Sequence, residues 1–412
     1  MHRLDADNAE MFIPIRSAEL IDLLCAVKTT THENFSLEDQ ERFRLFADRV
    51  SNHFHQEQRK LLTALKDAYA FFDPDADTMK VYMPNAEEME RNRDALFRDF
   101  VELLKSANYR HLSRQEIEIC IAGASAWGID MHVNWDIFER VEMFVRGKAI
   151  GQRPKRHPWR FWKTRMLSIA TFQRTVVILK LKTNKNLGAD VDVNHIFLKL
   201  FKDIPEIDLE MLLPGTELKM PKLQRGKLGA TVASSIAYVG WKLSAVPIAS
   251  MLAGSMYALV VGLYTPLVLI VGYGYKTYAG FQTAKQTYQL KLTQSLLFQN
   301  LDNNAGVIYR LVGEAQEQEV REVLLAYYFL WRFAGAAGWS AETLDGCVEL
   351  ELGKFQGRQI DFEVADALRK LKNLKLLASD EPTYRVIPLE QAIDQLDPCA
   401  HVRSKVVDSP TS

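Results

Sequence analysis

The residues of this sequence that come closest to a metal-binding or catalytic pattern are acidic. The stretch 73–78 spaces three aspartates in the way that a calcium loop does. An EF-hand loop would, however, need glycine at the position of Thr78 and glutamate at that of Pro84. We therefore interpret this stretch as a polar turn and not as a calcium site.

Three glutamates further along the chain, Glu314, Glu319 and Glu322, could contribute carboxylates to a metal pair. A di-iron site of this kind also needs Glu-x-x-His pairs, and none is present. His53 and His55 are two positions apart, so on a helix they point in different directions and cannot chelate one ion. We expect the glutamates to form a solvated helix face, and we predict neither a metal nor a cofactor.

Common catalytic and nucleotide-binding motifs are absent from the sequence. It contains no G-x-x-x-x-G-K-[ST], H-E-x-x-H or G-x-S-x-G, and no G-x-G-x-x-G that leads from a strand into a helix. Whether the protein is an enzyme therefore stays open. If it is one, the carboxylates best placed beside a cationic loop are Asp203, Glu206 and Asp208.

The clearest indication of a ligand is a basic and aromatic loop at residues 153–163, Arg-Pro-Lys-Arg-His-Pro-Trp-Arg-Phe-Trp-Lys. Clustered cations attract anionic surfaces, and indole rings favour the interface of a bilayer. Nucleic acid can use the same mixture through phosphate contacts and stacking, and an ordinary solvated loop is the third interpretation. We favour lipid headgroups over nucleic acid. The residues assigned to lipid binding are Arg153, Lys155, Arg156, Trp159, Arg160 and Trp162.

The charge distribution shows that this loop belongs to a basic segment. Residues 143–189 contain twelve Lys or Arg and no Asp or Glu, whereas the formal net charge of the whole chain is -1.

A length of 412 residues predicts about two to three domains. The four cysteines form no C-x-x-C pair, which favours a reducing compartment, and the first residues resemble neither a signal nor a transit peptide.

A long apolar stretch follows the basic segment. Residues 243–275 contain no charged side chain, and the stretch extends back to Leu228 with Lys242 as its only charge. This length suits two membrane spans of about 20 residues each, so we predict a transmembrane helical hairpin at residues 228–275. Basic residues flank both ends, which places both ends on the cytoplasmic side. A single span starting near Leu243 is the alternative.

Small residues recur at every fourth position from the end of the first predicted span into the second. They form a narrow stripe on which another helix can approach closely, within the hairpin or from a second protomer. The residues of this helix-packing stripe are Ser250, Gly254, Ala258 and Gly262. The nearby Val-Gly-Tyr-Gly at 271–274 resembles a potassium-channel filter, but Ile270 replaces the threonine that the filter requires. We interpret it as part of a membrane interface.

Hydrophobic periodicity predicts helices on both sides of the apolar stretch and strands before it. Helices are predicted at residues 17–27, 37–70, 86–106, 113–126, 281–298, 307–333, 341–352 and 361–377. Strands are predicted at residues 138–146, 175–182, 195–202 and 384–387. The sequence thus predicts an α+β membrane protein. Its parts are an N-terminal helical domain (12–130), a small antiparallel β-domain (131–222), the transmembrane hairpin (228–275), a helical segment (281–340) and a winged-helix-like module (341–390).

The stretch from Lys199 to Gly215, Lys-Leu-Phe-Lys-Asp-Ile-Pro-Glu-Ile-Asp-Leu-Glu-Met-Leu-Leu-Pro-Gly, resembles a signature of the family that includes transmembrane protein 143, a domain of unknown function. Further stretches that resemble this family are Phe12-Ile-Pro14, Phe72-Asp-Pro-Asp75, 138–147, Leu301-Asp-Asn-Asn304 and 361–371. The resemblance implies a membrane protein without an assigned activity, whose animal relatives are mitochondrial. Because no transit peptide is visible, we expect a bacterial inner membrane with the soluble domains in the cytoplasm.

These observations favour a membrane-anchored scaffold or adaptor, with membrane lipids, an unidentified protein and a second copy of the chain as expected partners. The acidic residues that follow Pro205 could form a docking ridge against the basic loop. The second helix of the module begins with Asp361, Glu363 and Asp366, which would repel phosphates, so we expect a protein contact there and not DNA. The alternative function is a membrane-bound enzyme that acts on lipid or a lipid-linked substrate.

Overall fold

The computed structural model describes residues 11–26, 35–79, 81–82, 84–125, 130–156, 164–182, 194–219, 296–356, 360–379 and 381–397, together with isolated positions between 272 and 290. The helices are α1 (Ser17–Ala26), α2 (Leu37–Tyr69), α3 (Ala86–Ser106), α4 (Arg114–Ser125), α5 (Ala305–Phe333), α6 (Ala341–Gln356), α7 (Val364–Asn373) and α8 (Leu389–Gln395). The strands are β1 (Arg110–Leu112), β2 (Asp130–Val133), β3 (Phe138–Arg156), β4 (Thr164–Leu181), β5 (Ile196–Pro205), β6 (Thr216–Lys219), β7 (Asn300–Asn303), β8 (Leu377–Ser379) and β9 (Arg385–Val386). Two 3₁₀ helices lie at Trp135–Ile137 and Glu206–Leu212.

The long N-terminal helices begin at residues whose side chains cap the first turn. At the start of α2, the Ser36 hydroxyl accepts a hydrogen bond from the Asp39 amide at 3.0 Å. At the start of α3, Asn85 and Glu88 form a capping box, in which each side chain accepts from the backbone N–H of the other residue. The predicted bounds of α3, residues 86–106, are confirmed, because the capping signal and the apolar periodicity agree.

One five-stranded antiparallel sheet, with the strand order β1-β3-β4-β5-β7, forms the centre of the fold. Its three inner strands lie within the predicted β-domain, whereas both edge strands come from outside it. β1 pairs with residues 143–145 of β3, and β7, which follows the apolar stretch in sequence, pairs with residues 199–201 of β5. The sheet therefore joins residues from both sides of the apolar stretch 228–275.

The predicted transmembrane architecture is wrong as a description of this fold. Within the part of the chain that the structure describes, no helix combines the length and the apolar composition needed to cross a membrane. α5 is 29 residues long, but Arg310, Glu314 and Arg321 interrupt its apolar face. The fold class is α+β with a five-stranded antiparallel sheet. Residues 228–271, which contain most of the predicted hairpin and its helix-packing stripe, lie outside the described residues.

α5 connects two hydrophobic cores. Its C-terminal half packs with α1, the first part of α2 and the helices α6 to α8 in one cluster of buried residues. Its N-terminal half packs with α3, the end of α2 and one face of the sheet in a second cluster. The other face of the sheet is covered by α4 and the 3₁₀ helix Glu206–Leu212. The N-terminal helices, the sheet and the C-terminal helices therefore all attach to α5.

Two of the stretches that resemble a known family meet at Asn304, directly before α5. Asn304 is buried and has a φ of 50°. Its side-chain oxygen accepts hydrogen bonds from the Leu198 amide at 3.2 Å and from the Tyr69 hydroxyl at 3.3 Å. Its side-chain nitrogen donates to Asp75 at 2.5 Å. Asn304 therefore ties the turn after α2 and the strand β5 to the start of α5.

Substitutions of Asn304 should separate the effect of its backbone conformation from that of its hydrogen bonds. Asn304→Gly accepts the positive φ but leaves buried partners unsatisfied, so we expect it to lower the free energy of unfolding by about 1–3 kcal/mol. Asn304→Ala should cost about 1 kcal/mol more, because alanine is strained at positive φ. Urea unfolding of both variants measures the difference. Equal stability of the two variants would contradict the backbone part of this explanation.

Candidate functional site

Of the three glutamates for which the sequence predicted a solvated face of α5, Glu322 is buried and Glu314 and Glu319 are half-buried. Gln318, Arg321 and Glu322 are 0%, 4% and 1% exposed. An N-terminal segment contacts Gln318 and Arg321, and α7 contacts Glu322. Burial of a charge is costly unless the charge is paired and hydrogen-bonded, so this face depends on partners from distant parts of the chain.

One group of partners surrounds Lys370 of α7. Its ammonium lies 2.7 Å from a carboxylate oxygen of Glu319 and 2.6 Å from one of Asp366, and it also pairs with Glu322. The three carboxylates lie within 4.8 Å of one another, which is close enough to hold a metal ion. Because the ammonium contacts all three, it supplies the positive charge that a cation would supply there. We call these four residues the lysine cluster.

The surroundings in the lysine cluster raise the pKa of both Glu319 and Lys370. Burial raises the pKa of Glu319 to about 7, although Lys370 opposes this shift. Burial also acts against the charge of Lys370, but Glu322 and Glu319 outweigh it, and the pKa of Lys370 is raised. Three carboxylates share one ammonium, so Glu319 is the natural site for an additional proton.

The contribution of Glu319 to stability should fall as the pH rises from about 5 to 8. Its pKa is about 7 in the folded protein against an ordinary value of 4.5, so the folded state binds this proton more tightly than the unfolded state does. The stabilisation is complete at a pH below the ordinary pKa and is lost as the pH rises through the pKa of the folded protein. The loss lowers the free energy of unfolding by at most about 3 kcal/mol. Glu319→Gln should remove this pH dependence, which urea unfolding at both ends of the range measures. An equally large fall in the variant would refute the assignment to Glu319.

An N-terminal segment without helix or strand structure, residues 11–16, contacts α5 beside the lysine cluster, and we call it the N-terminal strap. The Ile13 amide donates to the side chain of Gln318 at 3.3 Å, and Arg321 donates to the Ile13 carbonyl at 2.9 Å. The side chain of Asn108 donates to the first carbonyl of the strap at 2.9 Å. Amide and guanidinium groups of side chains therefore hold the main chain of the strap.

Arg146 of β3 is a further buried cation, with a side chain that is 5% exposed. Its guanidinium pairs with Glu314 of α5 at 3.0 Å and donates to the Ala107 carbonyl at 3.1 Å. It also lies over the rings of Phe12 and Tyr109, at 3.9 and 4.6 Å from their centroids. Arg146 therefore connects the sheet, the N-terminal strap and α5 at one point.

A cleft of about 1180 Å³ opens beside Arg146 and the lysine cluster. One wall consists of the end of α3, the start of α4, β1 and the middle of β3, and its charged residues are Glu102, Lys105, Arg110, Glu116, Arg146 and Lys148. The other wall consists of α5 and the start of α7, and its charged residues are Glu319, Asp361, Glu363, Asp366 and Arg369. Cations outnumber carboxylates on the first wall, whereas carboxylates outnumber cations on the second. The lining side chains of the two walls therefore have net charges of opposite sign, and most of these side chains are themselves in ion pairs.

The lining of the cleft suits binding and offers no nucleophile paired with a base. Among the described residues that line it there is no histidine or cysteine, and the side-chain hydroxyls are those of Ser106 and Tyr109. The Ser106 hydroxyl donates to the Leu103 carbonyl within α3 at 3.0 Å. Tyr109 donates to Glu314 at 3.0 Å, and burial raises its pKa, so it stays protonated.

The three carboxylates predicted for an enzyme do not share one solvent-open site. Asp203 is exposed, Glu206 is half-buried and Asp208 is only 7% exposed. The 3₁₀ helix that carries two of them begins directly after Pro205 and packs against the sheet and α4. Asp208 and Glu210 are buried, and residues 157–163 of the basic loop lie outside the described residues, so the predicted docking ridge against that loop stays a prediction.

The basic and aromatic loop is shorter than predicted, because β3 continues to Arg156 and β4 begins at Thr164. Arg153, Lys155 and Arg156 lie in β3, whereas Trp159, Arg160 and Trp162 lie outside the described residues. Lipid binding by these six residues stays a prediction.

The site residues that the sequence did not single out include Arg146, Asn108 and Lys370. Their types and spacing carry no signal, since an arginine in a strand and a lysine in a helix are usually solvated. The resemblance to a known family did contain a signal for Arg146 and Lys370. Three of the resembling stretches meet at α5, namely Phe12-Ile-Pro14, 138–147 and 361–371. Asn108 lies outside those stretches.

The fold and the site define an α+β protein in which a buried charged helix and a central sheet enclose a cleft with oppositely charged walls. Residues 162–306 match the model of a family described as "Protein of unknown function (DUF3754)". The match covers less than half of the chain, running from just before β4 to the first residues of α5. No solved structure matches the chain.

Proposed function

We propose that this protein is a scaffold or adaptor whose cleft binds an extended segment of a partner protein. The observation that carries the proposal is the opposite charge of the two cleft walls. Charge complementarity of this kind fixes the orientation of a bound segment and selects against wrong partners. A segment with a basic end and an acidic end would connect the sheet to α7.

The size of the cleft supports a peptide over a small molecule. Its volume of about 1180 Å³ exceeds the roughly 300–1,000 Å³ of typical small-molecule pockets. In the N-terminal strap, a main chain without helix or strand structure is held beside the cleft through side chains that bind its amide and carbonyl groups. The enzyme alternative has less support, because the described lining lacks a nucleophile with a base.

A relation to the family that includes transmembrane protein 143 is part of the same proposal. This relation is supported by the positions of several stretches that resemble the family, because they contact α5 together and do not lie on separate surfaces. The resemblance implies a family without an assigned activity, so it favours neither a binding role nor an enzyme.

Selection of peptides on the full chain tests the proposed function. Peptides from a random displayed library should bind the wild-type chain, and each reversal of charge on one wall should weaken them by about tenfold. Suitable variants are Lys105→Glu on the first wall and Asp361→Lys on the second. Fluorescence anisotropy with the selected peptides measures the loss.

Two matched variants control for the change in net charge. Lys60→Glu and Glu57→Lys reverse exposed charges on α2, outside the residues that line the cleft. They should leave the affinity unchanged. The proposal is abandoned if no peptide is selected, or if the wall variants bind the selected peptides as tightly as the controls do.

A further inference from the structure

Beside the cleft, polar side chains hold the N-terminal strap in a site that recognises its main chain and one ring. Asn108 donates to the first carbonyl of the strap at 2.9 Å. The Ile13 amide donates to Gln318 at 3.3 Å, and the Ile13 carbonyl accepts from Arg321 at 2.9 Å. The guanidinium of Arg146 lies over the aromatic ring of the strap. We call the site that these side chains form the strap groove, and its members are Asn108, Arg146, Gln318 and Arg321.

The side chains of the strap groove are also held by α5, independently of the strap. Gln318 donates through its side-chain nitrogen to Glu322 at 2.7 Å, so its side-chain oxygen stays directed at the strap. Asn108 donates to the same carboxylate at 3.3 Å. Arg321 and Arg146 each pair with a further glutamate of α5. The groove therefore keeps its donors and its acceptor in place when the strap leaves, as a preorganised binding site does.

The strap groove and the cleft share residues. Asn108 and Arg146 line the cleft, and Met11 of the strap lines it as well. A partner segment that lies in the cleft against Asn108 and Arg146 meets donors that already bind the strap. One occupant therefore excludes the other, and the strap and a bound segment weaken each other's binding.

The contacts of the strap show which side chains the groove accepts. The ring centroid of Phe12 lies 3.9 Å from the guanidinium of Arg146 and 5.5 Å from that of Arg321, so both cations interact with the ring. Ile13 and Ile15 are 0% and 6% exposed, in the core that contains α1 and the C-terminal half of α5. The groove therefore selects an aromatic residue, followed directly by an aliphatic one and by a second aliphatic residue two positions later.

We propose that the strap is an autoinhibitory occupant of the strap groove, and that a partner segment with this aromatic and aliphatic pattern binds there in its place. This inference rests on the proposed function and deepens it, because it names the pattern that the partner segment contains and the contact that regulates the site. The strap belongs to the same chain, so its effective concentration at the groove is about 1 mM. A partner segment binds only when it outcompetes the strap.

A peptide with the sequence of the strap tests whether the groove accepts a segment from outside the chain. The probe is the fluorescently labelled peptide Glu-Met-Phe-Ile-Pro-Ile-Arg-Ser, which corresponds to residues 10–17. Phe12→Ala in the full chain removes the ring contact of the strap but leaves the groove unchanged. The probe should therefore bind this variant about tenfold more tightly than it binds the wild-type chain, as measured by fluorescence anisotropy.

Arg16→Ala is the matched control, because Arg16 is an exposed residue of the strap. It should leave the affinity for the probe at the wild-type value. A second version of the probe has an ester in place of the amide that corresponds to Ile13, which removes the N–H that Gln318 accepts. This version should bind the Phe12→Ala chain about tenfold more weakly than the probe does, whereas an ester at the terminal serine should have no effect.

Hydrogen exchange on the wild-type chain measures displacement of the strap without any substitution, and it decides the question if the Phe12→Ala chain does not fold. At a probe concentration above about 1 mM, the amide of Ile13 should exchange faster, because the displaced strap is solvated. Peptides selected in the test of the proposed function should have the same effect at saturation. They should also share the aromatic and aliphatic pattern.

Several results would overturn the inference. Equal affinity of the probe for the Phe12→Ala and Arg16→Ala chains would show that the strap does not compete with it. Unchanged or slower exchange at Ile13 would place the bound peptide outside the strap groove. Selected peptides without the pattern would refute the stated specificity. Sedimentation that shows a dimer, which the probe dissociates, would assign the groove to the strap of a second copy.

Failure of this inference and failure of the proposed function are distinguishable. The proposed function is judged by the cleft variants Lys105→Glu and Asp361→Lys, and neither variant changes a residue of the strap groove. The strap probe, in turn, needs no selected peptide.

Discussion

Replacement of Lys370 with methionine should lower the free energy of unfolding by about 3–5 kcal/mol. The substitution keeps most of the apolar stem but leaves the carboxylates of Glu319, Glu322 and Asp366 close together without their shared ammonium. Removal of one partner from a buried ion cluster is costly because the remaining charges stay buried. Urea unfolding, monitored by circular dichroism, measures the change.

A neighbouring lysine and a second substitution control for this prediction. Lys372→Met changes an exposed lysine on the same helix and should cost less than about 1 kcal/mol. Glu322→Gln added to Lys370→Met should restore part of the stability, because it removes one of the uncompensated charges. A Lys370→Met protein as stable as the Lys372→Met control would show that the lysine cluster contributes no net stability.

Arg146→Met should lower the free energy of unfolding by about 2–4 kcal/mol. The variant loses the ion pair with Glu314 and the hydrogen bond to the Ala107 carbonyl. It also loses the contact with the ring of Phe12, so the N-terminal strap should exchange its amide hydrogens faster. Urea unfolding and hydrogen exchange by mass spectrometry measure the two effects.

Arg140→Met is the matched control for Arg146→Met. Arg140 lies on the same strand with a side chain that is 43% exposed and pairs with Glu142. Its replacement should cost about 1 kcal/mol or less and should leave exchange in the strap unchanged. The proposed role of Arg146 fails if both variants affect the strap to the same extent.

The helices α1 to α7 could be predicted from the sequence because their signals are local, whereas the short helix α8 was not predicted. Ser36 and Asn85 cap α2 and α3, and apolar periodicity continues through each helix to its end. The four predicted strands overlap β3, β4, β5 and β9, but β3 and β4 extend further than predicted, and β1, β2, β6, β7 and β8 were not predicted. Beyond Arg146 the sequence lacks the apolar alternation of a half-buried strand, since Arg153, Pro154 and Lys155 follow. Pairing with β4 maintains the strand there.

The site could not be predicted from the sequence because its charged residues are buried by distant partners. Periodicity shows that one face of α5 is charged, but it does not show that Lys370 and Ile13 cover that face. A solvated face and a paired buried face have the same sequence pattern. The transmembrane prediction rested on residue composition between 228 and 275, and composition alone does not report how such a stretch is placed in the fold.

The central position of α5 has a consequence for the order in which the protein can fold. Ile13 bonds to Gln318 across a sequence separation of 305 residues, and Tyr69 bonds to Asn304 across 235. During synthesis on the ribosome, α1 to α3 and most of the sheet emerge long before the helix that completes both of their cores. Contacts between such distant residues make folding slow, and the nascent chain exposes apolar surface while it waits. Molecular chaperones that bind exposed apolar segments would therefore have their longest opportunity before α5 leaves the ribosome.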